Sequence, residues 1–177
     1  MKQLAPIKKL ILVSSCLLLS SSVHAADLFY KKNLSLYVIH DVDQGKSESQ
    51  LLESSVRNYV ADAGAVIFVK GQTLYLIRDT REPKAESLDT GVADFKLKDG
   101  LIAYIKGESL YVRRVTDAAN VSSRLSPESH GATNIDIAGG VIIFIKNSTT
   151  LYRVTDIERG AAERVIYPVG EAQVSGK

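Results

Sequence analysis

A pattern of about a dozen residues occurs four times in this chain of 177 residues, and it constrains the fold more than any other feature. Each clear copy contains a β-branched and aromatic run, a lysine, a polar turn and a Leu-Tyr pair, at residues 65–76, 101–112 and 141–152. A degenerate first copy occupies residues 28–37. The anchor tyrosines, spaced 38, 36 and 41 residues apart, are Tyr37, Tyr75, Tyr111 and Tyr152. Such a period is typical of an array of small supersecondary units.

Each copy predicts an antiparallel β-hairpin, because β-branched and aromatic residues favour strands. The turn residues Gly71, Gly107 and Asn147 tolerate the left-handed backbone of a tight turn. A further strand precedes each of the last three hairpins and ends in a glycine turn, and a weaker strand follows every hairpin. Only residues 47–61 carry a helical periodicity longer than two turns.

Four strands in about 40 residues is the size of a propeller blade, so the sequence predicts an all-β, four-bladed β-propeller-like repeat of antiparallel hairpins. The first unit lacks its leading strand. The C-terminal segment 169–177 resembles that missing strand, and we expect it to complete the first blade and close the ring. A β-sandwich or twisted meander of the same hairpins is the alternative. The expected domain spans residues 26–177, with units at 26–54, 55–90, 91–130 and 131–168.

Residues 1–25 have the three parts of a secretory signal peptide. Lys2, Lys8 and Lys9 form a cationic start, residues 10–19 are mostly apolar, and cleavage is expected between Ala25 and Ala26. The apolar run is too short to span a bilayer. We therefore predict a periplasmic protein; the alternative is a lipoprotein attached through Cys16, because residues 13–16 resemble a lipobox.

Removal of this leader changes the net charge and the cysteine content of the chain. The remaining 152 residues contain no cysteine, and 19 basic against 20 acidic residues give a net charge of −1. Disulfides, thiolate metal sites and cysteine nucleophiles are thereby excluded for that form. The near-neutral charge gives no electrostatic basis for nucleic-acid binding. We expect no cofactor, no nucleic-acid partner and no membrane span.

The histidines and acidic residues do not form a recognisable catalytic or metal motif. His40 and His130 lack zinc-site spacing, and no nucleophile elbow is present, so we expect a protein that is not an enzyme. Asp41 and Asp43 are a weak calcium candidate. A calcium loop starting at Asp41 would require a bidentate glutamate where this chain has Leu52, so an acidic loop is the preferred interpretation.

The repeated side chains predict packing roles first. Because neighbouring strand residues face opposite sides, each leucine should enter a core between blades while its tyrosine lies on the other face. The lysines that end equivalent strands, Lys70, Lys106 and Lys146, either solvate a strand end or form a basic cluster for an acidic partner.

The leader, the size and the repeated Gly, hydrophobic run, Lys, turn and Leu-Tyr order resemble periplasmic immunity proteins that neutralise peptidoglycan-amidase effectors of type VI secretion. This resemblance implies an inhibitor that occludes the active-site cleft of a cell-wall hydrolase with a loop. No motif fixes which loop; the candidates are the 106–109 turn and the 122–124 loop, with Lys106, Glu108, Ser109, Ser122, Ser123 and Arg124. Alternative functions are an envelope scaffold or assembly module, and a sugar-binding or enzymatic small propeller.

Overall fold

A computed structural model describes residues 26–168, which form fifteen β-strands. The strands are β1 (Leu28–Lys32), β2 (Ser35–Ile39), β3 (Ser49–Glu53), β4 (Val56–Asp62), β5 (Ala65–Lys70), β6 (Thr73–Ile77), β7 (Glu86–Thr90), β8 (Val92–Lys98), β9 (Leu101–Lys106), β10 (Ser109–Arg114), β11 (Arg124–Leu125), β12 (Ala132–Ala138), β13 (Val141–Lys146), β14 (Thr150–Asp156) and β15 (Ala161–Pro168). The helical segments of this range are two 3-10 turns, Val42–Gln44 and Pro127–Ser129. The all-β prediction is confirmed.

Consecutive strands pair antiparallel and form four separate sheets. The first sheet contains β1–β3, the second β4–β7, the third β8–β11 and the fourth β12–β15. The first sheet has three strands and the others four, so the leading strand that the sequence lacks in its first unit is also absent from the described first sheet. Residues 47–61, where a helical period is present, form β3 and β4, because Ser55 turns the chain with a φ of 61°.

The repeated tyrosines stack on an aromatic ring of the neighbouring strand in every sheet. The partners are Tyr30 and Tyr37, Phe68 and Tyr75, Tyr104 and Tyr111, and Phe144 and Tyr152, with ring centroids 5.2–5.4 Å apart. Each pair lies directly across the strands in the hairpin register. These offset stacks contribute to pairing of the two central strands beyond the area they bury.

Each sheet has two faces, which we call the leading face, toward the preceding sheet, and the trailing face, toward the following one. The stacked aromatic pairs lie on the leading faces, whereas Leu36, Leu74 and Leu110 lie on trailing faces and are fully buried. Three apolar cores result, one between each two consecutive sheets. The prediction that the leucine and the tyrosine of each pair lie on opposite faces of the sheet is confirmed in these sheets.

The four sheets stack in series and are not closed into a ring within residues 26–168. The inner strands β4, β8 and β12 contact one another in order along the array, and no apolar core of the described residues joins the fourth sheet to the first. The predicted closing strand at 169–177, like the predicted signal peptide, lies outside the described residues. Closure is therefore not confirmed: within residues 26–168, one face at each end of the array lacks a neighbouring sheet.

The described residues contain no helix that is both long enough and apolar enough to cross a membrane.

Candidate functional site

A polar recess of about 340 Å³ lies between the second and third sheets. Its walls are the outer strand β7, the central strands β9 and β10, and the loop of residues 115–123 that connects β10 to β11. Three of the predicted partner-binding residues, Lys106, Ser122 and Ser123, line this one recess. Ser122 is exposed at the rim, whereas the Ser123 hydroxyl oxygen is buried.

The floor of the recess is a hydrogen-bonded group centred on Asp89. The Lys106 ammonium donates to one Asp89 oxygen at 2.6 Å, and the Tyr104 hydroxyl donates to the other at 3.1 Å. Burial alone would raise the pKa of Asp89, but the bonds from Lys106, the Thr90 N–H and Tyr104 outweigh it and hold the pKa below its ordinary value. Burial, together with the nearby carboxylate, raises the pKa of Tyr104. The floor is thus an ionised carboxylate, an ammonium and a neutral phenol.

The loop over the recess is fastened by an arginine that the sequence analysis did not single out. Arg113 has a side chain only 2% exposed, and its guanidinium donates to the carbonyls of Asp117 and Ala118 at 3.3 and 3.4 Å. Its Nε makes no hydrogen bond, and its Nη2 lies 3.7 Å from a carboxylate oxygen of Glu86. Burial lowers the pKa of Arg113.

A second clamp joins the loop to strand β11. The Asp117 carboxylate accepts bonds from the Arg114 N–H at 2.9 Å and from the Arg124 guanidinium, and these bonds outweigh burial to keep the pKa of Asp117 low. Arg124 also reaches Glu158 at 2.8 Å. Arg124, predicted to bind a partner, therefore lies inside the protein's own ion-pair network and positions the loop.

The remaining predicted residues of this region lie on the turn beside the recess. Glu108 occupies the β9–β10 turn with a φ of 61° and an exposed side chain, and Ser109 pairs with Lys106 at the start of β10. The Glu108 carbonyl accepts the N–H groups of Gly131 and Ala132 at 2.9 and 3.0 Å. These two bonds fix the turn while its carboxylate faces solvent.

Two of the three repeated lysines contact the sheet that precedes their own, and Lys146 contacts the 3-10 turn that follows the preceding sheet. Lys70 lies 3.0 Å from the Glu53 carboxylate, Lys106 bonds Asp89, and Lys146 donates to the Glu128 carbonyl at 2.9 Å. Lys146 also lies over the Tyr152 ring, 5.8 Å from its centroid. The equivalent strand ends thus place each lysine against a preceding part of the fold, and the structure does not bring the three together into one basic cluster.

The acidic pair proposed as a weak calcium candidate has cationic and backbone partners. Lys46 and Arg81 each lie 2.7 Å from one oxygen of Asp41, and Asp43 accepts the Ala26 N–H at 3.0 Å. The Arg81 and Lys46 hydrogen bonds lower the pKa of Asp41 to about 2. The Asp41 oxygens that a cation would need are occupied by positive side chains. Residues 26–168 hold no cluster of three or more potential metal ligands.

His40 lies in the same corner, between two oxygen acceptors. Its Nδ1 is 3.1 Å from an Asp27 oxygen and its Nε2 is 3.3 Å from the Thr80 carbonyl. Thr80 is buried and lies in the loop that connects β6 to β7, so the histidine bridges the first sheet and this loop of the second. The Nε2 atom thus has a hydrogen-bond partner, whereas Nδ1 is buried close to the Asp27 carboxylate without hydrogen-bond geometry.

Comparison of the repeats contains the signal that would have identified Arg113. The residue two places after each anchor tyrosine is Ile39, Ile77, Arg113 or Val154, so the third copy replaces a core aliphatic residue with a cation. Its equivalents in the second and fourth sheets are 1% and 6% exposed. A charged residue at a buried repeat position indicates a local specialisation of the third sheet.

The chain resembles known proteins in structure and not in sequence. No protein-family model and no curated protein matches the chain. Among solved structures, Hsv2 of Kluyveromyces lactis matches over 75% of this chain and 44% of its own length, with 15% identity and a TM-score of 0.57. Hsv2 of Kluyveromyces marxianus matches over 78% and 44%, with 12% identity and a TM-score of 0.52.

A third match is PorZ, a surface component of the type-IX secretion system of Porphyromonas gingivalis. It covers 80% of this chain and 21% of its own length, with 14% identity and a TM-score of 0.53. The chain therefore spans less than half the length of each of these solved proteins. At these identities the likeness concerns architecture: the fold is β-propeller-like.

Proposed function

We propose that this chain is an exported protein-binding inhibitor that covers the active-site cleft of a peptidoglycan hydrolase in the periplasm. The observation that carries the proposal is the fastened loop 115–123, with Ser122 exposed at the rim of the recess. Loops held on a rigid scaffold commonly carry binding. The leader and repeat order, which resemble those of immunity proteins, indicate the compartment and the class of partner.

Preorganisation is the physical advantage of this loop. Arg113 and Arg124 hold it from two sides, so its backbone loses little freedom when a partner binds. Without these bonds, a loop of exposed small and polar residues would lose conformational entropy when the partner binds, and the affinity would be lower.

The exposed groups suit contact with a polar catalytic cleft. The Ser122 hydroxyl can donate and accept, and the Glu108 carboxylate can accept hydrogen bonds from histidine or backbone N–H groups. A stable inhibitory contact needs about 800 Å² on each partner, more than one loop provides. We therefore include the 106–109 turn and the 115–123 loop in one binding surface.

The test is inhibition of a purified periplasmic peptidoglycan hydrolase encoded beside this chain, with and without Ser122→Tyr. A bulky ring at the rim should displace the partner and raise the inhibition constant at least tenfold. Ser54→Tyr is the matched control, because Ser54 is an exposed serine on the β3–β4 turn. Lysis protection in cells should follow the same order. Equal inhibition by the two variants, or no inhibition by the parent chain, would overturn the proposal.

A second candidate is an envelope scaffold or assembly module, favoured by the two sheet faces that have no neighbouring sheet in the described part of the chain. PorZ, a surface component of a secretion system, has a similar fold. Cross-linking in cells distinguishes the two functions: an inhibitor should yield one hydrolase adduct, whereas a scaffold should yield several envelope proteins in one complex.

A further inference from the structure

Two apolar sheet faces lie at the ends of the described array. The first end face is the leading face of the first sheet, and the second end face is the trailing face of the fourth sheet. The first end face comprises Leu28, Tyr30, Tyr37 and Ile39; the second comprises Val141, Ile143, Ile145 and Leu151.

The first end face repeats positions that are buried in every other sheet. Leu28 is 51% exposed, whereas its repeat equivalents Val66, Ile102 and Ile142 are completely buried. Ile39 is half-buried, and its equivalent Ile77 is 1% exposed. Among residues 26–168 no sheet precedes the first one, and in this respect its environment differs from that of the other sheets, so the side chains here are those of an interior sheet-to-sheet contact.

The second end face repeats the complementary positions. Val141 is 38% exposed, whereas its equivalents Ala65 and Leu101 are 4% and 3% exposed. Leu151 is half-buried although Leu74 and Leu110, its equivalents, are completely buried. Three trailing faces of this composition are already covered by leading faces within the chain. The two end faces are thus the two halves of one more contact of the same kind.

We propose that a second copy of this chain covers both end faces, with the fourth sheet of each copy stacked on the first sheet of the other. Two arcs of four sheets would then form one closed ring of eight. In a dimer with twofold symmetry, each copy gives one end face to the other copy and receives the complementary one, so the two equivalent contacts close the ring.

The curvature of the array favours a second copy over closure by the chain itself. Three quarters of this chain superposes on 44% of Hsv2, so the stacking follows an arc of a longer propeller and not a complete small ring. Two such arcs supply close to one full ring of that kind. Closure of four sheets alone would require a sharper rotation at every sheet-to-sheet contact.

The polar part of the second end face is compatible with this contact. Arg153 occupies a trailing-face position that is aliphatic in the other sheets, and it forms an ion pair with Glu163 of the neighbouring strand. The two charges neutralise each other, and the aliphatic stem of the arginine can pack while its head stays at the rim.

The test is the mass of the exported chain in solution, by native mass spectrometry and light scattering, for the parent and for Leu28→Glu and Val141→Glu. The parent should have twice the monomer mass. Each variant buries a carboxylate in the contact and should raise the dimer dissociation constant at least tenfold. Leu125→Glu is the matched control, since Leu125 is 47% exposed but lies on neither end face, and it should stay dimeric.

Mixing the two variants tests the head-to-tail arrangement. A mixed dimer retains one unaltered contact, so the mixture should regain the dimer mass that each variant lacks alone. Circular dichroism of all variants should remain that of the parent, because both positions are exposed in one copy. A monomeric parent, a larger assembly, or a dimer disrupted by only one of the two variants would overturn the proposal.

Discussion

Arg113 marks the residue at which the repeat departs from its own pattern. A buried arginine is costly in free energy, and hydrophobic residues of similar size often serve as well or better for stability. Its guanidinium reaches the carbonyls of Asp117 and Ala118, which hold the loop in place. We interpret the role of this residue as fixing the conformation of the loop and not as stabilising the fold.

Replacement Arg113→Ile restores the residue type of the other repeats. We expect the free energy of unfolding to change by no more than about 1 kcal/mol, because Glu86 keeps its bonds to Arg78. The loop loses two donors, so its amides should exchange faster and hydrolase inhibition should weaken. Urea unfolding and inhibition titration measure the two effects. Arg114→Ile, at an exposed neighbour, should leave inhibition unchanged; equal losses would contradict the assigned role.

Asp41 predicts an acid-sensitive contribution to stability. Its pKa is about 2 in the folded chain against an ordinary value of 3.8, so the ion pairs with Arg81 and Lys46 stabilise the fold above pH 4 and are lost as the pH falls toward 2. Asp41→Asn should therefore melt below the parent at pH 5, with the difference shrinking toward pH 2. Arg81→Met should show the same window. A difference that is constant from pH 5 to pH 2 would contradict this account.

At the scale of elements, the β14–β15 turn lies directly on β11. A Cβ atom added at Gly160 would lie 2.7 Å from the Leu125 carbonyl oxygen, and Gly160 has a φ of 67°. Gly71 has a similar φ of 62° but open space around it.

Comparison of Gly160→Ala with Gly71→Ala separates this contact from backbone strain. Both substitutions strain a left-handed residue, but only Gly160→Ala must also displace the β11 backbone. We expect Gly160→Ala to lower the free energy of unfolding by about 2 kcal/mol more than Gly71→Ala does, measured by urea unfolding. Equal losses would show that the turn does not press on β11.

The strands follow from the sequence because their signals are local. The β-branched and aromatic runs on either side of a short turn identify every hairpin, and the weak strands after each hairpin are present as β3, β7, β11 and β15. The apparent helical period at 47–61 is misleading, since a turn at Ser55 divides two strands there.

The recess was only partly predictable for the opposite reason. Lys106, Ser122 and Ser123 were singled out, but their meeting with Asp89 depends on how the second and third sheets stack, which no local pattern specifies. The loop clamps join Arg124 to Glu158, 34 residues away, and so require the tertiary fold. Of the residues that hold the loop, only Arg113 could have been identified from the sequence, because it departs from the repeat pattern.

At the scale of the whole molecule, the array has two kinds of surface that suit two kinds of binding partner. The end faces are apolar and repeat interior contacts, which suits assembly with another copy of the chain. The recess and its loop are polar, fastened and lie on the third sheet, which suits a partner of another kind. Binding of a hydrolase should therefore leave the sheet-to-sheet cores and both end faces unchanged.

Amide hydrogen exchange of the chain with and without its hydrolase partner tests this division most directly. The account predicts slowed exchange in residues 106–109 and 115–123, with Ser54 and the β3–β4 turn unaffected. Protection confined to β1 and β2 or to β13 and β14, or no protection at the loop in a complex that inhibits the enzyme, would contradict it.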